Sequence, residues 1–162
     1  EGTSHKIELL CAVAFFIMTK KELSKYLDLL YQHSKDAMKK DEVPVSAILI
    51  FPNGDIISSE NEVEKKNDPF SHAEFNVINK GLKKENGRYL KGCTLLVSLE
   101  PCLFCLAAIL KARIENLYYV LDDEKEGGLS YYHTYVDNRL KVHRIEDDRF
   151  LPLFNEFFKK LR

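Results

Sequence analysis

Two short stretches constrain this chain more than anything else in it: Ser71-His72-Ala73-Glu74 and, thirty residues on, Glu100-Pro101-Cys102-Leu103-Phe104-Cys105. Together they hold one imidazole, two thiols at CxxC spacing and a carboxylate two residues past the imidazole. Such a set reads as a zinc site that activates water, and the rest of the chain has to bring the two stretches together. At 162 residues, 45% of them hydrophobic, there is room for one globular domain with a real core and little else. The formal net charge of −1 supplies no global basic field, so a nucleic-acid partner has to be held by a local patch. Four cysteines are too few for a disulfide scaffold of this size, and two of them sit at metal-ligand spacing, which points to a reducing, cytoplasmic setting.

The run at 9–18 (LLCAVAFFIM) is apolar and is followed by Lys20 and Lys21. Ten residues cannot cross a bilayer that needs about 20, and no small-residue cleavage site follows, so no membrane partner is expected. Met18-Thr19-Lys20-Lys21-Glu22 reads well as a natural start. Residues 1–18 are therefore expected to be an N-terminal extension without assigned function, and 19–162 the domain proper.

Thr19 with Glu22 forms a capping box, and Leu23, Tyr26, Leu27, Leu30 and Ala37 recur at helical spacing, which predicts an amphipathic helix over 20–40. Residues 45–51 (VSAILIF) and 55–59 flank Pro52-Asn53-Gly54, a hairpin signal. A polar loop then leads into a helix opened by the first stretch and running to about Lys83, capped by Ser71 or Asp68. Residues 93–99 (CTLLVSL) read as a buried strand that hands over to a second helix at Pro101 and Cys102. Strands at 117–121 and 140–145 and a helix over 150–161 complete the chain. Alternation of helices with strands and strand pairs along the chain predicts a three-layer α/β/α domain.

Cys102 and Cys105, spaced i and i+3 at a helix start, can face one ion, and the helix dipole lowers thiol pKa values toward the thiolates that zinc requires. His72 can supply a third ligand, leaving the fourth tetrahedral position for water. Glu74, beside that position but not a ligand, can accept a proton from water, pass it to a ring nitrogen and protonate a leaving amine. His-x-Glu followed by Pro-Cys-x-x-Cys is the signature of zinc nucleobase deaminases. A structural zinc module would want a fourth strong ligand from Cys93, His5, His33, His133 or His143, none of which carries a motif. A redox CxxC pair would leave His72 unexplained.

From Thr19 to Arg162 the chain resembles the cytidine-deaminase superfamily and, within it, the bacterial TadA-type tRNA adenosine deaminases. Val43-Pro44-Val45, Asp68-Pro69, the His72 to Cys102 spacing, Ser98-Leu99-Glu100-Pro101-Cys102, Asp123 with Lys125, and the ending Phe157-Phe158-Lys159-Lys160-Leu161-Arg162 carry the likeness. It implies a cytidine-deaminase-like fold with a central mixed sheet of about five strands, one Zn²⁺ per chain and a homodimer that converts the wobble adenosine of a tRNA to inosine. It also implies that Asn61 contacts the target base and that the C-terminal helix, with Phe157, Lys159 and Arg162, contacts the tRNA, while Asp68, Asp123 and Lys125 flank the substrate. Read without the likeness, Asn61 is a solvated turn residue, one of Phe157 and Phe158 is core, and the terminal cations complement the helix dipole.

Several positions depart from the family pattern. Ser46 replaces a glycine, Phe70-Ser71 a Thr-Ala pair, and Val120-Leu121-Asp122 a small-residue segment. Phe70 either stacks on a base or narrows the pocket. The loop Asp122-Asp123-Glu124-Lys125-Glu126 is more acidic than phosphate contacts favour. Two alternatives therefore stand beside tRNA editing: deamination of a free base, nucleoside or nucleotide such as cytosine, guanine or deoxycytidylate, and a non-catalytic zinc or RNA-binding subunit, which the presence of Glu74 opposes.

Overall fold

In the computed structural model the described residues are 18–131 and 139–162. The expectations for residues 1–17, for His5 and for His133 fall outside them. The chain opens with α1 (Lys20–Lys39), whose start carries the full capping box: Thr19 Oγ1 accepts the Glu22 N–H and Glu22 Oε2 accepts the Thr19 N–H, each at 3.1 Å. Its buried stripe is Leu27, Leu30, Ser34 and Ala37.

β1 (Ser46–Ile50) and β2 (Ile56–Glu60) form the expected hairpin, paired antiparallel from Ile50 opposite Ile56 to Ser46 opposite Glu60. The turn closes with the Phe51 N–H on the Asp55 carbonyl at 2.9 Å, and Gly54 takes the positive φ of +90° that only glycine adopts without strain. A four-residue helix, α2 (Val63–Lys66), follows inside the polar loop, where no sequence signal announces it. Then come α3 (Ala73–Glu85), β3 (Thr94–Leu99), α4 (Leu103–Lys111), β4 (Asn116–Leu121), β5 (Lys141–Arg144) and α5 (Phe150–Lys160).

The strand order is β2-β1-β3-β4-β5, antiparallel from β2 to β3 and parallel from β3 to β5. Parallel neighbours need a crossover, which α4 supplies between β3 and β4. Side chains alternate across this mixed sheet. Ala47, Leu49, Leu95, Val97 and Leu117 face α3 and α4, meeting Val77, Ile78, Leu106 and Ile109. Ile48, Leu96 and Val120 face the other way, onto Leu27 and Leu30 of α1 and Phe150 of α5. The result is the expected three-layer α/β/α architecture, a five-stranded mixed sheet with helices on both faces. Each fully buried aliphatic residue, Ile48 or Leu96 for instance, contributes about 1.5–3 kcal/mol.

Two local expectations need correction. Neither Ser71 nor Asp68 caps α3: the helix starts later, with His72 as the N-cap residue in extended backbone. Ser71 Oγ instead donates to Asn76 Oδ1 at 3.0 Å, and Asp68 Oδ1 accepts the Phe70 N–H at 2.9 Å in a local turn. In α4 the N-cap is Cys102 itself, so Pro101 stands ahead of the helix rather than at its first position.

Candidate active site

The sheet places the two stretches side by side because α3 and α4 pack as neighbours on one face, with their N-termini at the same end. His72 and Cys102, as the two N-cap residues, have backbones that have not yet turned helical, so their side chains lean toward each other, and Cys105 follows in the first turn of α4. His72 Nδ1 lies 3.6 Å from Cys102 Sγ and 3.5 Å from Cys105 Sγ. A tetrahedral zinc with ordinary Zn–N and Zn–S lengths requires a nitrogen-to-sulfur separation of about 3.6 Å. One nitrogen and two sulfurs at these distances therefore fit Zn²⁺ in donor type and in spacing.

The three donor groups are strongly coupled electrostatically. The hydrogen bond from Cys105, then the one from His72, pulls the Cys102 thiol down to about 4, while the shared bond with Cys102 and burial push Cys105 up. His72 is raised, chiefly by its contact with Cys102. Glu74, only 4% exposed, stands outside the three-ligand group. Burial pushes its carboxyl up to about 7, against the opposing influence of Cys105 and His72. A carboxyl of that pKa can both take and return a proton near neutral pH.

His72, Glu74 and Cys102 open onto a cavity of about 670 Å³. Val45, Asn61 and Leu99 form part of its wall, and α5 contributes Phe154, Phe157 and Phe158, with Leu161 just beyond the helix end. Six more carboxyl-bearing residues line it: Asp41, Glu42, Glu64, Glu100, Asp123 and Glu126.

The other sequence candidates divide. Asn61 lines the cavity and is 6% exposed, so the solvated-turn reading fails; its Nδ2 donates to Glu42 Oε2 at 3.1 Å. Asp123 also lines it, but its Oδ1 accepts the Lys125 and Glu126 N–H groups, which closes its own loop. Lys125 is exposed and outside the lining. Asp68 and Phe70 are outside it as well; Phe70 is 54% exposed, its ring centroid 5.1 Å from that of Phe104, so it does not narrow the pocket. Phe157 is buried and Phe158 exposed, both against the cavity, whereas Lys159 and Arg162 are exposed beyond it. His33 pairs with Glu60 at 3.1 Å, and Cys93 is a buried core residue.

Sequence reasoning missed Asp41, Glu42, Val63, Glu64, Glu100, Glu126, Phe154 and Leu161 as lining residues. Glu100 was within reach, since it stands inside the second stretch. Its carboxylate accepts the Asp123 N–H at 3.4 Å and the Leu129 N–H at 3.3 Å, and Gly128 donates its N–H to the Pro101 carbonyl at 2.9 Å. The loop after β4 is thereby laid against the cysteine-bearing turn, with Gly127 in an isolated bridge to Cys102.

Comparison with known proteins agrees with this geometry. The MafB19-like deaminase family matches residues 21–162. The tRNA-specific adenosine deaminase of Aquifex aeolicus (strain VF5) is 38% identical over 143 residues, covering 85% of this chain and 94% of that protein. A solved structure from studies of A-to-I editing by tRNA:A34 deaminases superposes with a TM-score of 0.70 at 32% identity, over 76% of this chain and 99% of the other. The guanine deaminase from Nitrosomonas europaea shares the fold at a TM-score of 0.71 and 17% identity, over 80% and 81% of the two chains. A histidine and two cysteines at zinc spacing, a buried carboxyl beside them and sequence likeness over nearly the full length of such relatives lead to one assignment: the chain belongs to the tRNA-specific adenosine deaminase family of the cytidine-deaminase-like superfamily.

Proposed function

We propose that this chain binds one Zn²⁺ through His72, Cys102 and Cys105 and deaminates the wobble adenosine of a tRNA to inosine. The observation that carries the chemistry is Glu74, buried beside the ligand group without belonging to it and opening onto a cavity able to take a base. When bound, the zinc polarises water for attack. Glu74 takes one proton from this water and passes it to ring nitrogen N1, then takes the second from the hydroxyl so formed at C6 and passes it to the exocyclic amine. Water's oxygen adds at C6, the C6–N bond breaks, and ammonia leaves. Asn61 contacts the base from the wall, and the aromatic face of α5 covers it. Lys159 and Arg162, exposed beyond the cavity, are placed to meet phosphates outside it, while Asp123 shapes the rim.

The tRNA reading rests on the relatives named above. A homodimer is supported by a contiguous apolar surface beside the site, where Phe70, Leu103 and Phe104 are exposed and the tilted Phe75 and Phe104 rings lie 5.2 Å apart. Among the described residues no helix is long and apolar enough to cross a membrane. Thiolate ligands and a tRNA substrate suit the reducing cytoplasm.

The second reading, a free base or nucleoside, is favoured by one observation: the carboxylates around the cavity repel phosphates. Incubation of the zinc-loaded protein with bulk tRNA and with free bases, nucleosides and nucleotides separates the two. Inosine at the first anticodon position is expected; ammonia released only from a free base would overturn the tRNA reading.

A further inference from the structure

Glu42 is 2% exposed and comes from the turn after α1, 19 residues before Asn61. Asp41 takes a positive φ of 60°, and the Glu42 N–H returns to the Ala37 carbonyl at 3.0 Å, which turns the chain so that the next side chain enters the protein. There three N–H donors meet its carboxylate. Oε1 accepts from the Lys65 backbone at 2.7 Å; Oε2 accepts from the Glu64 backbone at 3.2 Å and from Asn61 Nδ2 at 3.1 Å. The Lys65 ammonium goes elsewhere, to Glu62 at 3.2 Å.

The chemistry of this contact fixes a direction. Two of these donors are backbone N–H groups that cannot turn, so both carboxylate oxygens act as acceptors and the Asn61 amide turns its nitrogen toward Oε2. Turned the other way, the Asn61 oxygen would face Glu42 Oε2 at hydrogen-bond distance with no hydrogen between them. The carboxamide oxygen and the second N–H hydrogen are then the atoms left to meet a ligand, in one fixed order. The Asn61 N–H is itself held by the Val45 carbonyl at 3.0 Å, so the backbone of the residue is pinned as well as its amide.

We propose that Glu42 is a positioning residue that sets which atoms of Asn61 face the substrate, an inference resting on the reading of Asn61 as the base contact. Without Glu42 the amide is free to rotate by half a turn, and its donor and acceptor exchange places. Because Glu42 also caps α2, a single substitution cannot separate alignment from support of the loop. A double-mutant cycle can.

Glu42→Ala and Glu42→Gln are each made in the parent enzyme and in an Asn61→Ala background, with zinc content, kcat and KM measured on a substrate that the parent enzyme converts. In the parent background kcat/KM should fall about tenfold with zinc content unchanged, and in the Asn61→Ala background the same changes should cost less than about twofold. Equal losses in both backgrounds would overturn the inference and make Glu42 a loop support only, and so would no loss in the parent enzyme. Should Glu42→Ala not fold, Glu42→Gln, which keeps the volume, carries the same cycle. If the parent enzyme converts a free base and no tRNA, the tRNA reading has failed, and the cycle run on that base still decides whether Glu42 acts through Asn61.

Discussion

Glu74 and Cys102 lie within one site but differ in what their loss should remove. Glu74→Gln retains shape and leaves all three donor atoms in place, so zinc should stay at one per chain while kcat falls about a thousandfold, within the range for loss of a general acid and base. Metal analysis and single-turnover assay of the same preparation check this. Cys102→Ala removes one of the three proposed donors, so zinc content and the urea midpoint should drop together, read by metal analysis and by unfolding with and without added zinc. The grouping of these residues was legible in the sequence because each signal is local: a helix start, an i to i+3 spacing and a carboxylate two residues from an imidazole. Glu42 was not, since its partners lie 19 to 23 residues away and a glutamate before a strand has the look of surface. The place of Phe70 outside the pocket was hidden for a related reason, because its ring meets Phe104 of α4, far along the chain.

The loop after β4 is held at the site by its glycines. A Cβ on Gly127 would run into Glu100 Oε2 and lie 2.5 Å from the Asp123 carbonyl. Gly127→Ala should therefore lift the loop from Glu100, raising KM by about tenfold with little change in thermal midpoint; steady-state kinetics and a melting curve test it. Packing of α5 depends on another contact. Arg149 reaches Asp147 and Asp28, each at 2.8 Å, and its hydrogen bond holds the Asp147 carboxyl below the usual carboxylate range. A carboxyl lowered by folding adds stability that is complete above about pH 4 and is lost as the pH falls through its lowered value. Asp147→Asn should thus cost about 1 kcal/mol at pH 7, kept small by the partly exposed Arg149, and cost less at pH 3, as urea titrations at the two pH values will show. Helices and strands were readable to within a few residues from periodicity and caps. α2 was not, because a four-residue helix has no period to read, and neither was the docking of the loop, which depends on hydrogen bonds to Glu100 across more than twenty residues.

For the molecule as a whole, a net charge of −1 and a carboxylate-lined cavity supply no global basic field, so the proposed tRNA contact falls to local cations such as Lys159 and Arg162 at the C-terminal end. KM for tRNA should rise with salt, but with a shallow logarithmic slope of about 0.7–0.9 per phosphate contacted, measured between 50 and 200 mM salt, roughly the range over which such effects are read. The layering followed from alternation of elements, whereas the order β2-β1-β3-β4-β5 did not, since pairing across the sheet joins residues that share no local pattern. That order puts the Pro52-Asn53-Gly54 turn at the opposite end of β1 from Val45 and the cavity, with all three residues exposed. The hairpin therefore offers a handle: a fluorophore, an affinity tag or a fused domain attached there can report on or recruit the enzyme while leaving the mouth of the cavity clear.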